Sequence, residues 1–111
     1  MVQLEKFVKE DYEQLICWID SAKMLMQFAG PVFVFPLTAA QLDTSLNDVN
    51  RFAFKVVDSK SKNTIGHAEI YLTDTAAYLG RILVGDKAKR GKGIGEQIAQ
   101  FINSAHLFNN G

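Results

Sequence analysis

Residues Leu83 to Ile102, LVGDKAKRGKGIGEQIAQFI, pass from an apolar stretch into a helical one through a joint made almost entirely of Lys, Arg and Gly. This joint limits the architecture more than any other feature, because a strand that turns into a helix over Arg90-Gly91-Lys92-Gly93-Ile94-Gly95 belongs to an α/β chain. A helix begins with N–H groups that have no intrahelical partner, and its aligned peptide dipoles leave partial positive charge there. Glycine has no Cβ, so another molecule can come close to those groups. A phosphate group suits such a place. Lys92 and Arg90 would add Coulomb attraction, the backbone supplying geometry and the side chains steering.

The charge is local. Twelve basic and twelve acidic side chains cancel over the 111 residues, yet Lys87, Lys89, Arg90 and Lys92 fall within one short window. A protein that follows a nucleic-acid backbone carries a surplus of Lys and Arg over a whole face, so nucleic acid is not the expected partner. A small anion is. The length allows one domain, and no apolar run is long enough to cross a bilayer, so no membrane partner is expected. Met1 to Lys6 lacks the basic head and apolar middle of a signal peptide, and the single cysteine, Cys17, cannot form an internal disulfide. A cytoplasmic location is expected. No metal-ligand spacing is present, and no metal is expected.

Two familiar phosphate loops fail on spacing. A Walker loop needs four residues between its first Gly and Gly-Lys, followed by Ser or Thr; Gly85 and Gly91 enclose five, and Gly93 follows Lys92. The dinucleotide fingerprint needs Gly at the sixth position from Gly91, where Glu96 stands.

The rest of the chain supplies the context. Val2 to Phe7 predicts a short strand. Tyr12, Leu15, Ile16 and Ile19 follow helical spacing and predict a helix from about Lys9 to about Ala22, with Met24 to Phe28 extending or following it. Gly30-Pro31 ends regular structure, and Pro36 closes the aromatic segment Phe33-Val34-Phe35. Thr38-Ala39-Ala40-Gln41 has the form of a capping box, predicting a further helix that buries Leu42, Leu46 and Val49. Arg51 to Asp58 and Thr64 to Leu72 alternate around a polar turn and read as a hairpin; Ala77 to Val84 is one more strand. Ile94, Ile98, Phe101, Ile102 and Ala105 share one face of a last helix, closed by Asn109-Asn110-Gly111.

What fits the joint is R-x-x-G-x-G, with Arg90, Gly93 and Gly95, after an apolar strand and at the start of an amphipathic helix. Here the sequence resembles the GNAT superfamily of acetyl-CoA-dependent N-acetyltransferases, whose signature is Q/R-x-x-G-x-G/A in this setting. The stretches MQFAGPVFVFPLTAAQL and LGRILVGDKAKRGKGIG look like the same family, and the resemblance covers essentially the whole chain. It implies an α/β (α+β) GNAT-like acyl-CoA N-acyltransferase fold, a mixed but mostly antiparallel sheet with helices packed on it, in the order β-α-α-β-β-β-α. It implies acetyl-CoA as cosubstrate, its pyrophosphate on the N–H groups from Gly91 to Gly95, with Lys89, Arg90 and Lys92 beside it. The pantetheine amides would pair with the edge of Ile82-Leu83-Val84. The activity implied is direct acetyl transfer to a primary amine of a small molecule or protein.

Acceptor chemistry is less marked. An attacking amine must lose a proton, which a carboxylate or imidazole can remove. His67, Glu69 and Tyr71 alternate along one face of the third strand and are the catalytic candidates, Glu69 first as base; a partly solvated sheet face would give the same pattern. Arg81 is expected as a surface partner of a carboxylate, Cys17 and Trp18 as packing residues, and His106 as a cation near a helix C-terminus.

GNAT domains continue past this helix, adding a strand beside the fourth and a tyrosine that commonly protonates the leaving thiolate. Residues 1–111 are therefore expected to be a single GNAT-like domain, short at its C-terminus. The apolar edge of the fourth strand should be covered, and a homodimer is the expected cover. The alternative is a non-catalytic CoA-binding or dimerisation module from a truncated acetyltransferase; a general anion-binding α/β domain is the third reading.

Overall fold

The computed structural model describes residues 2–105, with side chains from 2 to 100. The places of His106 and of Asn109-Asn110-Gly111, and the inward faces of Phe101, Ile102 and Ala105, lie outside the described residues.

Among the described residues four strands form one sheet: β1 (Val2–Lys6), β2 (Arg51–Asp58), β3 (Thr64–Leu72) and β4 (Ala77–Val84), in the order β1-β2-β3-β4. Every pairing among them is antiparallel, so the described sheet is not mixed. The helices are α1 (Tyr12–Trp18), α2 (Ala22–Ala29), α3 (Ala39–Leu46) and α4 (Ile94–Ala105). Three helices precede β2, where the order implied by the resemblance has two: the first ends at Trp18, and Met24 to Phe28 follows it in a helix of its own. Ser21 adopts an extended conformation and its hydroxyl accepts from Met24 N at 3.1 Å, which starts α2 afresh. Such a cap contributes about 1 kcal/mol. Ile19 leaves the helix yet stays buried.

The two faces of the sheet carry separate cores. On one, Phe7, Tyr12, Leu15, Ile19, Leu25, Phe28, Phe33, Leu37 and Leu42 pack together under α1, α2 and α3. On the other, α4 lowers Ile94 and Ile98 onto Val2, Val56, Ile65, Ala68 and Ile70. Ile98 is fully buried, worth roughly 1.5–3 kcal/mol relative to an exposed position. Strand β3, in the middle, is therefore covered on both sides.

The segment from α2 to α3 is fastened by one side chain. Thr38 caps α3, its Oγ1 accepting from Gln41 N at 3.3 Å. The Gln41 amide does not complete a capping box with the Thr38 N–H. Its Oε1 accepts from Val34 N at 2.7 Å, and its Nε2 donates to Val34 O at 2.9 Å and Pro36 O at 3.1 Å, clamping the aromatic segment. Phe35-Pro36 is a cis peptide. Leu42 is buried and Leu46 half-buried, whereas Val49, beyond the helix end, is 83% exposed, against expectation.

Candidate functional site

The glycine loop begins where β4 stops. Gly85 N and Asp86 N both donate to Ile65 O, at 2.9 and 3.2 Å, which turns the chain off the sheet. Gly85 seats the Trp18 ring, and a Cβ there would overlap it. Trp18 is thus a packing residue, as its sequence setting predicts; Cys17 is exposed, because α1 turns Tyr12 and Leu15 inward and leaves Cys17 outside. Asp86 Oδ1 accepts from Ala88 N at 3.0 Å and caps a single turn of 3-10 helix, Lys87–Lys89. Arg90 Nε donates to Val84 O at 2.7 Å, folding its guanidinium back on the strand end.

The chain then enters α4 through two left-handed residues, Gly91 (φ 76°) and Gly93 (φ 75°). A residue with a Cβ would lose roughly 1–2 kcal/mol at each, so glycine is the residue for both places. Ile94 drops into the core and fixes the helix start, and Gln97 N donates to Gly93 O at 3.1 Å. A Cβ built on Gly91, Gly93 or Gly95 meets no atom within 4 Å. The backbone at the positive end of α4 therefore stands in open space, as an anion site requires. Lys87, Arg90 and Lys92 are exposed around it. Lys89 is half-buried and partly answered by Asp58, whose carboxyl is held low by Ser61 backbone and side-chain hydrogen bonds first and by the Lys89 charge among lesser causes.

A cleft of about 300 Å³ runs between α2, where Met24 and Phe28 line it, and the end of β4, where Ile82, Leu83 and Val84 do. Arg90 lines it too and so joins it to the glycine loop. Among the described residues β4 pairs only with β3, and Tyr78, Leu79 and Ile82 are exposed. The ladder is interrupted next to the cleft. Glu69 pairs with Gly80 but His67 with Leu83, so β4 carries one residue more than β3 there, and Arg81 adopts φ 47°.

His67 and Glu69 lie on the same face of β3, but that face is not solvated: they are 1% and 2% exposed, and the rings of Phe7 and Phe28 pack against His67. His67 Nε2 is 2.8 Å from Glu69 Oε2, while Glu69 Oε1 accepts from Arg51 and Arg81, each at 3.1 Å. Burial pushes the Glu69 carboxyl up; the hydrogen bond and charge of His67, then the charges of Arg81 and Arg51, outweigh it, and the group ends below its ordinary value. Burial lowers Arg81 in turn, against the attraction of Glu69. Among the described residues His67 Nδ1 is buried without a hydrogen-bond partner. The ionised Glu69 carboxylate can only accept, so His67 Nε2 carries the proton between them. Tyr71, half-buried, lies under the Arg51 guanidinium, 5.0 Å from its ring centroid.

Arg81 does partner a carboxylate, yet not at the surface. Its side chain is 9% exposed, donates to Ser45 Oγ at 2.7 Å and stands 4.8 Å from the Phe33 centroid. The contribution of Arg51 is absent from the sequence expectations. Hairpin register holds the signal, since Arg51 pairs with Tyr71 and Ala53 with Glu69, making Arg51 and Glu69 diagonal neighbours on one face. A second cavity, about 320 Å³, opens over Phe33 and Ser45. Among the described residues no group of His, Cys, Asp and Glu could hold a metal ion, and no helix is long and apolar enough to cross a membrane.

No family model matches the chain, and no curated protein matches it. Solved structures do. Aminoglycoside acetyltransferase AAC(6')-Ib in complex with coenzyme A aligns over 98% of this chain and 68% of its own, with 18% identity and a TM-score of 0.72. A domain from Methanocaldococcus jannaschii aligns over 96% and 72%, at 16% identity and a TM-score of 0.69. Glucosamine-6-phosphate N-acetyltransferase from Arabidopsis thaliana aligns over 97% and 78%, at 14% identity and a TM-score of 0.58. The described chain has the GNAT fold that these acetyltransferases share, its glycine loop lying between the fourth strand and the helix that follows.

Proposed function

We propose that this chain binds acetyl-CoA and passes the acetyl group to a primary amine. The observation that carries the reading is the open backbone at the start of α4, continuous through Arg90 with the cleft along β4. In this reading the pyrophosphate sits on the amides from Gly91 to Gly95, with Arg90, Lys92 and Lys89 around it, and the pantetheine arm follows Ile82, Leu83 and Val84. Neighbours of the same fold were solved with coenzyme A, which supports the choice of cosubstrate.

Transfer makes one C–N bond and breaks one C–S bond; the amine gives up a proton and the leaving thiolate takes one. The proton acceptor we assign is His67, with Glu69 fixing its ring through the 2.8 Å contact. Glu69 itself, engaged on both oxygens and held below its ordinary value, is the orienting carboxylate. Phe28 stands 5.6 Å from the imidazole and also lines the cleft, so its ring must yield for a proton to pass.

Isothermal titration with CoA and with inorganic phosphate tests the cofactor assignment, which requires a marked preference for CoA; equal affinity would leave a general anion site. A thiol-release assay over a panel of amines tests transfer. The cytoplasm is the proposed compartment, where the exposed thiol of Cys17 stays reduced. A second reading, a CoA-binding or dimerisation module without turnover, draws on the edge of β4, unpaired among the described residues, with Tyr78, Leu79 and Ile82 exposed. A second copy is the proposed cover for that edge in either reading. Light scattering after size exclusion decides the point, a stable monomer at micromolar concentration counting against it.

A further inference from the structure

The backbone of β4 leaves the ladder at a residue poorly suited to do so. Arg81 sits at φ 47°, a conformation that a Cβ disfavours and glycine would accept freely. Gly80, with nothing within 4 Å of where its Cβ would lie, is one position away and does not take the left-handed role. An arginine is therefore kept at a strained position, and strain of this kind persists only where the surroundings over-determine it. The surroundings are three contacts on one nearly buried guanidinium: Glu69 of β3 at 3.1 Å, Ser45 of α3 at 2.7 Å and the Phe33 ring at 4.8 Å. Among the described residues β4 has no strand on its other side, so the ladder alone leaves the bulge held from β3 only.

We propose that Arg81 is a positioning residue whose guanidinium, tied to Glu69 and Ser45 and stacked on Phe33, holds the β4 bulge in the shape that presents Ile82, Leu83 and Val84 to the cleft. The inference rests on the acetyl-CoA reading for its affinity arm, and on this chain's own contacts for the rest. Lysine cannot replace the arginine here, because a point charge on a flexible stem cannot serve Ser45, Glu69 and an aromatic face together. Ser45 is a tether that touches neither the cleft nor the glycine loop.

The test uses Ser45→Ala, Arg81→Lys and Arg81→Gly. Each is measured for hydrogen exchange in the segment 79–84 without ligand, for thermal midpoint, and for CoA affinity by titration. Arg81→Gly accepts φ 47° and loses the tether, so it separates relief of strain from loss of the contacts. The expected result is faster exchange in 79–84, with exchange in β2 little changed, and CoA affinity lower by about tenfold in Arg81→Gly and Arg81→Lys. Ser45→Ala, which cuts one tether, should fall between these and the wild type. Exchange that rises evenly over the sheet in step with the thermal midpoint, or CoA affinity unchanged in a folded Arg81→Gly, overturns the proposal. Failure of the wild type to bind CoA sinks the cofactor reading instead, and the exchange pattern then decides by itself whether Arg81 holds the bulge. If Arg81→Gly does not fold, Ser45→Ala and Arg81→Lys decide by the same criteria.

Discussion

His67 Nε2 stands 2.8 Å from Glu69 Oε2, with both side chains withdrawn almost completely from water. A carboxylate in such a place persists only because it is paired, and here His67, Arg51 and Arg81 all converge on it. Its folded pKa is therefore depressed below the ordinary 4.5. A depressed carboxylate contributes stability that is present above the unfolded value and lost as pH falls through the folded one. The thermal midpoint should stay level from neutrality down to the ordinary carboxylate value and drop below it, as circular dichroism melts over that range would show. A midpoint rising on acidification would contradict the cluster.

Glu69→Gln should be costly for a different reason. It keeps the shape but removes the charge that Arg51 and Arg81 face, leaving two guanidinium groups close together and half or more withdrawn from solvent. Breaking a buried pair in this way costs about 3–5 kcal/mol. Urea denaturation of the variant measures it, and a loss under 1 kcal/mol would mean that water reaches the cluster after all.

At the glycine loop, Gly93→Ala and Gly93→Asp separate backbone strain from charge. Both put a Cβ on a residue at φ 75°, at a cost of roughly 1–2 kcal/mol, and neither meets a neighbour within 4 Å. Only the aspartate brings a carboxylate to the proposed phosphate seat, where like charge costs several kcal/mol of affinity. Titration should show CoA binding much weaker in Gly93→Asp than in Gly93→Ala with the fold of both retained; equal affinities would remove the phosphate from this loop.

Gly85→Ala should destabilise without touching any charge. The added methyl would occupy the volume of the Trp18 ring, and overpacking of this kind costs about 1–3 kcal/mol. Pairing it with Trp18→Ala in a double-mutant cycle should recover most of that loss, whereas additive effects would show that the ring had already moved aside.

The strands and the loop were legible because their signals are local. Alternation in RFAFKVVD and TIGHAEIYL is a property of neighbours along the chain, and the left-handed glycines stand within the hexapeptide that carries the motif. The break between α1 and α2 was not legible, since Ser21-Ala22-Lys23-Met24 could equally continue a helix and lacks the acidic or amide partner that would complete a capping box. That extra helix joint helps cover the face of β3 on which His67 and Glu69 lie, and so turns a face that reads as partly solvated into a buried one. The charge cluster joins residues from β2, β3, β4 and α3, Arg81 reaching Ser45 across 36 positions, and no spacing rule along one strand reports such a meeting.

Trp18 is the sole tryptophan of the chain, and its indole rests on Gly85, where β4 has just ended and the capped turn toward α4 begins. The molecule thus carries an intrinsic fluorophore at the start of its glycine loop. Indole emission can follow any reshaping of that turn in solution, with no label and with no second tryptophan to blur the signal.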